Sequence, residues 1–203
     1  KLLLAGGVVD ELPIQPGFRE LYGIGVFHCP YCDGWEVRDQ PIAVYGKGDD
    51  KGAGLALEMT IWSDNIVLCS DGPSELSDEY RRRLKENKIS VREESILRLD
   101  ISRSLPYQAS FDIVFEHGPA LHRSAMFFNT GRHQSTNLAE RLGCDLYDPK
   151  GCTIDNHKQI THVPGLHVAG DASRDVLQAI VAAAEGAQAA IGINTALLHE
   201  ALS

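Results

Sequence analysis

Short apolar runs separated by turn residues set the rhythm of the chain. Pro41-Ile42-Ala43-Val44-Tyr45-Gly46 is an uninterrupted run ending in glycine, the pattern of a strand buried on both faces of a parallel sheet. Asn65 to Cys69 and Ala125 to Asn129 repeat it. Lys1 to Val9 reads as a buried strand and a turn, and Asp10 to Gly17 as a Pro/Gly-rich crossing. Ala53 to Ile61 is helical, and Ser74 to Lys88 predicts an exposed helix, with Leu76, Tyr80 and Leu84 recurring at a spacing of four. Ile89 to Val91 and Ile96 to Leu99 are strand-like, and Phe111 to Phe115 alternates with period two. Beyond a short helix at Asn137 to Leu142 and hairpin-like sequence from Asp145 to Thr161, Val176 to Leu198 is alanine-rich and apolar on most faces. Gln178, Glu185, Gln188 and Asn194 interrupt it, which predicts a buried helix and not a membrane span.

At 203 residues the chain can enclose a sizeable core in one large or two small domains. A net charge of −9 weighs against nucleic acid and anionic membranes as partners. An odd count of five cysteines does not fit a secreted disulfide framework and points to a cytoplasmic protein with one working pair. The apolar stretch at Lys1 is short for a signal peptide and no cleavage site follows it, so the expectation is a chain cut from something longer.

The strongest chemical signal is His28-Cys29-Pro30-Tyr31-Cys32-Asp33-Gly34-Trp35. Two cysteines three positions apart can bond when the segment turns into a helix, whose N-terminus also favours a thiolate. Asp33, directly after the second cysteine, offers a proton donor or acceptor. The same spacing is also half of many zinc sites, and two such thiols can be inert. Cys69, Cys144 and Cys152 supply no second close pair, while His28, His117, His122 and His133 form a collection and not a motif.

Two further sites follow from where strands end. Gly46-Lys47-Gly48-Asp49-Asp50-Lys51-Gly52 lies between a strand and a helix, as a dinucleotide-binding turn does, but is one residue longer than the usual fingerprint. There Gly46 and Gly48 would let a pyrophosphate approach the backbone, with Gly52 the last glycine of the cofactor-binding turn; the alternative is an ordinary tight turn. Asp71, after the second strand, would bond a ribose 2′-OH and repel a 2′-phosphate, or merely begin a turn with Gly72 and Pro73. In the last third, Gly170 and Asp171 close a strand at the end where α/β folds place ligand contacts.

With Cys29-Pro30-Tyr31-Cys32-Asp33-Gly34, Gly46 to Gly52 and Val163 to Asp171 in this order, the chain resembles the low-molecular-weight thioredoxin reductase family of flavoprotein disulfide reductases, including its dithiol oxidase relatives. The resemblance implies an α/β fold. A Rossmann-like nucleotide-binding domain, three-layered with a β-meander, would be inserted into a discontinuous FAD-binding domain whose N-terminal half is missing. The implied pieces are residues 1–10, the end of the first FAD-domain segment; 11–123, the nucleotide domain carrying the cysteine pair; and 124–203, the second FAD-domain segment. The cofactors implied are FAD and NAD(P)H. Cys29 would exchange with the substrate disulfide, Cys32 would contact the flavin, and Asp33 would shuttle the proton. Asp171 would bind the ribityl chain, with the backbone at Gln178 and Ala179 reaching the flavin's pyrimidine side. The implied partner is a thioredoxin-like protein or a small disulfide or dithiol, and the implied assembly is a homodimer.

Three departures shape the expectation. Leu4-Ala5-Gly6-Gly7 stands where the family has an Ala-Thr-Gly turn, the nucleotide turn carries its extra residue, and Ser70-Asp71-Gly72 replaces the paired arginines that grip a 2′-phosphate. The last weighs against NADPH and leans toward another donor, or toward oxidation of a dithiol by oxygen. A non-catalytic nucleotide-binding or redox-sensing module is the alternative of a different class, and a zinc-binding structural module a third.

Overall fold

The computed structural model describes residues 1–144, 146–148, 151–152, 154–155, 159–173 and 176–203. They form two compact units, one from Leu12–Thr130 and one from Lys1–Glu11 together with Gly131–Ser203.

The Leu12–Thr130 unit is built on a five-stranded parallel sheet in the order Val26–Phe27, Ala125–Phe128, Ile42–Tyr45, Ile66–Cys69, Ser90–Arg92. Its central strands are the continuous apolar runs, because both faces are covered. Phe27, Ile42, Val44, Leu68 and Phe127 face a helical layer that contributes Ala56, Met59 and Leu84. The alternate residues Val26, Ala43, Val67, Met126 and Phe128 face Leu99, Phe111, Ile113 and Phe115 of an antiparallel meander, Ile96–Arg103, Ser110–Phe115 and Leu121–Arg123. The result is the three-layer α/β/β arrangement expected.

One boundary moves. The expected unit closed at Arg123, whereas the compact unit runs to Thr130. Ala125–Phe128 pairs on one side with Ile42–Tyr45 and on the other with Val26–Phe27, so it is the second strand of this sheet and cannot belong elsewhere. The helix expected over Ser74 to Lys88 occupies Asp78–Glu86, started by the Ser77 hydroxyl accepting from the Tyr80 amide at 3.3 Å. Leu76 stays in the core from outside it.

In the second unit Leu2–Leu4 pairs in parallel with Leu166–Val168, which continues antiparallel into Ile160–Thr161 and Ile154–Asp155. Val8–Asp10 pairs separately with Arg132–Gln134. The hairpin expected over Asp145 to Thr161 falls partly outside the described residues. The long helix spans Ala179–Ala201, and its buried residues are Glu185, Ala189 and Gly192. The expectation of a buried helix is therefore corrected: Ile180, Ile191, Leu197 and Leu198 are exposed. Composition gave the apolarity but not what lies against it. Its mean hydropathy of 1.2 and its length suffice to cross a membrane, a test that core helices of globular proteins also pass.

Candidate redox and nucleotide-binding sites

The segment carrying the two cysteines folds as a single helical turn, Pro30–Asp33, with Cys29 in the N-cap position. Proline suits the first position of such a turn, since its fixed φ is already helical and its missing N–H is not needed there. The amides of Cys32 and Asp33 both donate to the Cys29 carbonyl at 3.2 Å, which draws the two residues together. Cys29 and Cys32 are disulfide-bonded, their Cα atoms 5.3 Å apart. Cys29 is half-buried and Cys32 exposed. A helix of four residues has little macrodipole, so the thiolate stabilisation expected from a helix N-terminus is small here.

Gly34 completes the motif for a steric reason. A Cβ there would stand 2.6 Å from the Trp62 indole nitrogen, so the residue that ends the turn must be small enough to sit against this ring. Tyr31, between the two cysteines, is 66% exposed and bonds Glu58. Upstream, the Tyr22 hydroxyl lies 3.2 Å from Nδ1 of His28.

Asp33 is held above the usual carboxylate range, chiefly because burial penalises its charge. The Tyr107 hydroxyl, donating to Oδ1 at 3.2 Å, opposes that rise, as does nearby His28, while Glu36 adds to it. Among the free cysteines described, Cys69 and Cys144 are buried, and burial pushes the Cys69 thiol up to about 12. The described residues contain no group of three or more His, Cys, Asp or Glu placed to hold a metal ion.

The glycine-rich turn leads into a helical stretch that begins at Asp49, four residues earlier than expected, and runs to Ile61. Each glycine has its own reason. A Cβ on Gly46 would overlap the Lys51 carbonyl, and one on Gly52 would meet the Gly46 carbonyl at 3.0 Å. Gly48 has φ 72° and open space where a side chain would stand. Asp49 and Asp50 occupy the first turn, and Asp49 accepts from the Ser77 amide at 2.9 Å.

Asp71 performs a task that the sequence did not disclose. Its Oδ2 accepts from Gln15 Nε2 at 2.7 Å and from the Tyr45 hydroxyl at 3.1 Å, and its Oδ1 from the Ile96 amide at 2.7 Å. The carboxylate thus ties the strand Ile42–Tyr45, the entry segment and the meander together, and burial with this partner pushes Tyr45 up to about 12. Both oxygens expected to meet a ribose are engaged inside the fold. The ammonium of Lys47 lies beside Gly72, 3.4 Å from where its Cβ would be.

In the other unit, Gly170 has φ 74° and opens the turn that carries half-buried Asp171. Glu185, 3% exposed, fixes this turn: its Oε2 accepts from the Gly170 amide at 2.8 Å and from the Ser173 hydroxyl at 2.6 Å. Gln178 is the N-cap of the long helix and Ala179 its first residue, both exposed. The predicted residues therefore assemble as two groups. Cys29, Cys32, Asp33, Gly46, Gly48, Gly52 and Asp71 lie in the Leu12–Thr130 unit, and Gly170, Asp171, Gln178 and Ala179 in the other. Sequence reasoning missed Tyr107, which carries no local signal, and the role of Glu185, whose signal was a lone acid in an apolar helix.

A parallel sheet under a β-meander, with a disulfide in a one-turn helix beside it, is the arrangement that the comparisons below match. The chain belongs to the pyridine nucleotide-disulphide oxidoreductase family, which it matches over residues 1–187. It is 27% identical over 195 residues to a protein of Arthroderma benhamiae named "Probable thioredoxin reductase", covering 86% of this chain and 48% of that one. It is 26% identical to the thioredoxin reductase of Aquifex aeolicus, over 95% of this chain and 60% of the relative. Among solved structures, HlmI superposes with a TM-score of 0.87 at 31% identity, over 98% of this chain and 61% of that one. The chain thus spans about half to three-fifths of the length of these relatives.

Proposed function

We propose that this protein is a flavin-dependent thiol/disulfide oxidoreductase that passes electrons between NAD(P)H, FAD and the Cys29/Cys32 pair, and on to a disulfide substrate. The observation that carries the proposal is the disulfide in its single helical turn, with the half-buried carboxyl of Asp33 directly after it. Family membership supports the cofactors. Bound FAD supplies a two-electron relay between a nicotinamide and a disulfide.

The residues present fit both groups. The open space at Gly48, at the start of a helical stretch, suits a pyrophosphate, whose negative charge the first-turn amides favour. The Gly170–Asp171 turn, braced by Glu185, is a rigid place for a flavin's polar chain. Asp71 spends its oxygens on Gln15, Tyr45 and Ile96 and so is not the free ribose acceptor that would single out NADH, while Lys47 beside Gly72 sets a cation near its charge. We therefore include NADPH as well as NADH.

In the exchange step, the thiolate of reduced Cys29 attacks a substrate disulfide, forming a mixed disulfide and releasing one substrate thiolate. Cys32 then attacks the Cys29 sulfur, closes the intramolecular disulfide and releases the second substrate thiolate. Two electrons leave the protein pair, and the substrate thiolates take up protons, with Asp33 the nearby carrier. The substrate in this proposal is a thioredoxin-like protein or a small disulfide, and the setting a cytoplasmic homodimer. A second reading, oxidation of a dithiol by oxygen, is favoured by Ser70-Asp71-Gly72 in place of paired arginines.

Two single-cysteine variants of the full-length protein test the assignment. Cys32→Ser should accumulate a stable mixed disulfide with the substrate through Cys29, read by intact mass, whereas Cys29→Ser should not. The reverse pattern would overturn the roles. Flavin reduction by NADPH, NADH and a small dithiol, compared by stopped flow, separates reductase from oxidase.

A further inference from the structure

We infer that Tyr107 is a positioning residue of the redox site, orienting the Asp33 carboxyl and setting the pH at which it gives up its proton. The inference deepens the proposed function and rests on its reading of Asp33 as the proton carrier. Tyr107 lies 74 positions along the chain from Asp33, on the connection between two meander strands, and donates its hydroxyl to Oδ1 at 3.2 Å. Its ring stacks on Phe27, 5.6 Å between centroids and 11° from parallel. Its amide donates to the Ile24 carbonyl at 2.9 Å, and its carbonyl accepts from Gln40 Nε2 at 3.5 Å. Ring and backbone are thus both fixed, and the hydroxyl has one direction to point.

The backbone adds an independent observation. Tyr107 has φ 56°, a conformation that a bulky side chain adopts at a cost and that glycine or asparagine would take more readily. A tyrosine at this angle is held there by its surroundings, and the stack on Phe27 is one of the contacts that hold it. With Oδ1 occupied, Oδ2 of Asp33 has no hydrogen-bond partner among the described residues and is the oxygen left to exchange a proton with the cysteine pair. The other charged or titratable groups acting on Asp33 are His28, before Cys29, and Glu36, on its own turn. A bond donated to a carboxylate favours its charged form, so removing the hydroxyl should let Asp33 keep its proton to higher pH.

The test is reduction of the Cys29–Cys32 disulfide by dithiothreitol in the full-length protein, quenched by alkylation and read by mass from pH 5 to 9. Rates of variants are divided by the wild-type rate at each pH, which cancels the reagent's own titration. Tyr107→Phe should move the limb governed by Asp33 to higher pH and change the rate at neutral pH by about three- to tenfold, the worth of one such hydrogen bond. In an Asp33→Ala background the same substitution should change the rate by less than about twofold, because its target is gone. An unmoved limb, or an undiminished effect without Asp33, overturns the inference even if Tyr107→Phe also lowers stability. If Asp33→Ala itself leaves the rate unchanged, the reading of Asp33 fails and this inference with it. If Asp33→Ala slows reduction and Tyr107→Phe does not move the limb, only the inference about Tyr107 fails.

Discussion

The amide of Ala53 donates to the carbonyl of Gly48 at 3.1 Å, five positions back in the chain. An ordinary α-helical bond spans four, so this wide turn takes up one extra residue. It is how the glycine motif from Gly46 to Gly52, one longer than the usual fingerprint, still delivers its last glycine against its first. Gly46→Ala should therefore cost about 1–3 kcal/mol, because the new methyl meets backbone that cannot turn aside. Gly48→Ala, unobstructed but at φ 72° and ψ −179°, a region essentially reserved for glycine, should cost about 1–3 kcal/mol. Gly186→Ala, in an open helical position of the other unit, should instead be neutral or stabilise by up to about 1 kcal/mol. Urea unfolding of the three variants checks the order.

Asp71→Asn retains the size of the side chain and its tolerance of positive φ, here 51°. It replaces one of two accepting oxygens by an NH2 group that faces donors. At least one of the bonds from Gln15, Tyr45 and Ile96 must be lost, at about 1–3 kcal/mol. If nucleotide affinity fell sharply while the unfolding midpoint stayed put, Asp71 would be a ligand contact and not the internal tie described.

Asp33 gives a pH signature in stability. Its folded-state pKa is raised above the ordinary 3.8, so the native state binds more protons than the unfolded state between these two values. The contribution is therefore fully present below the unfolded pKa and is lost as pH rises through the folded one. Asp33→Asn should gain stability relative to wild type as pH climbs above about 4, then hold a constant difference once the folded-state carboxyl has ionised. Chemical denaturation at several pH values reads this directly, and a difference independent of pH would remove the claim that burial strains this carboxyl.

Much of the larger unit was legible because its signals are local. Ile42–Tyr45, Ile66–Cys69 and Ala125–Phe128 announce themselves as continuous apolar runs, and the cysteine turn as a motif. What stayed hidden depends on contacts between distant positions. Tyr107 reaches Asp33, and Asp71 gathers Gln15, Tyr45 and Ile96, through geometry that no window of sequence contains. The Arg123 boundary failed for the same reason, since strand order and not strand character assigns Ala125–Phe128 to its sheet.

Glu185→Ala should destabilise the protein by about 1–3 kcal/mol, because the Gly170 amide and the Ser173 hydroxyl lose a buried acceptor. In the full-length protein the same substitution should also weaken FAD retention on dialysis, whereas Thr195→Ala, on an exposed part of the same helix, should leave it unchanged. Equal retention in both variants would separate the Gly170–Asp171 turn from flavin binding.

The visible absorption spectrum of the purified full-length protein tests the central claim most directly. The account predicts the two-banded spectrum of an oxidised flavin, present in stoichiometric amount and bleached when a nicotinamide nucleotide or a small dithiol is added without air. A colourless protein that neither retains nor rebinds FAD would contradict it.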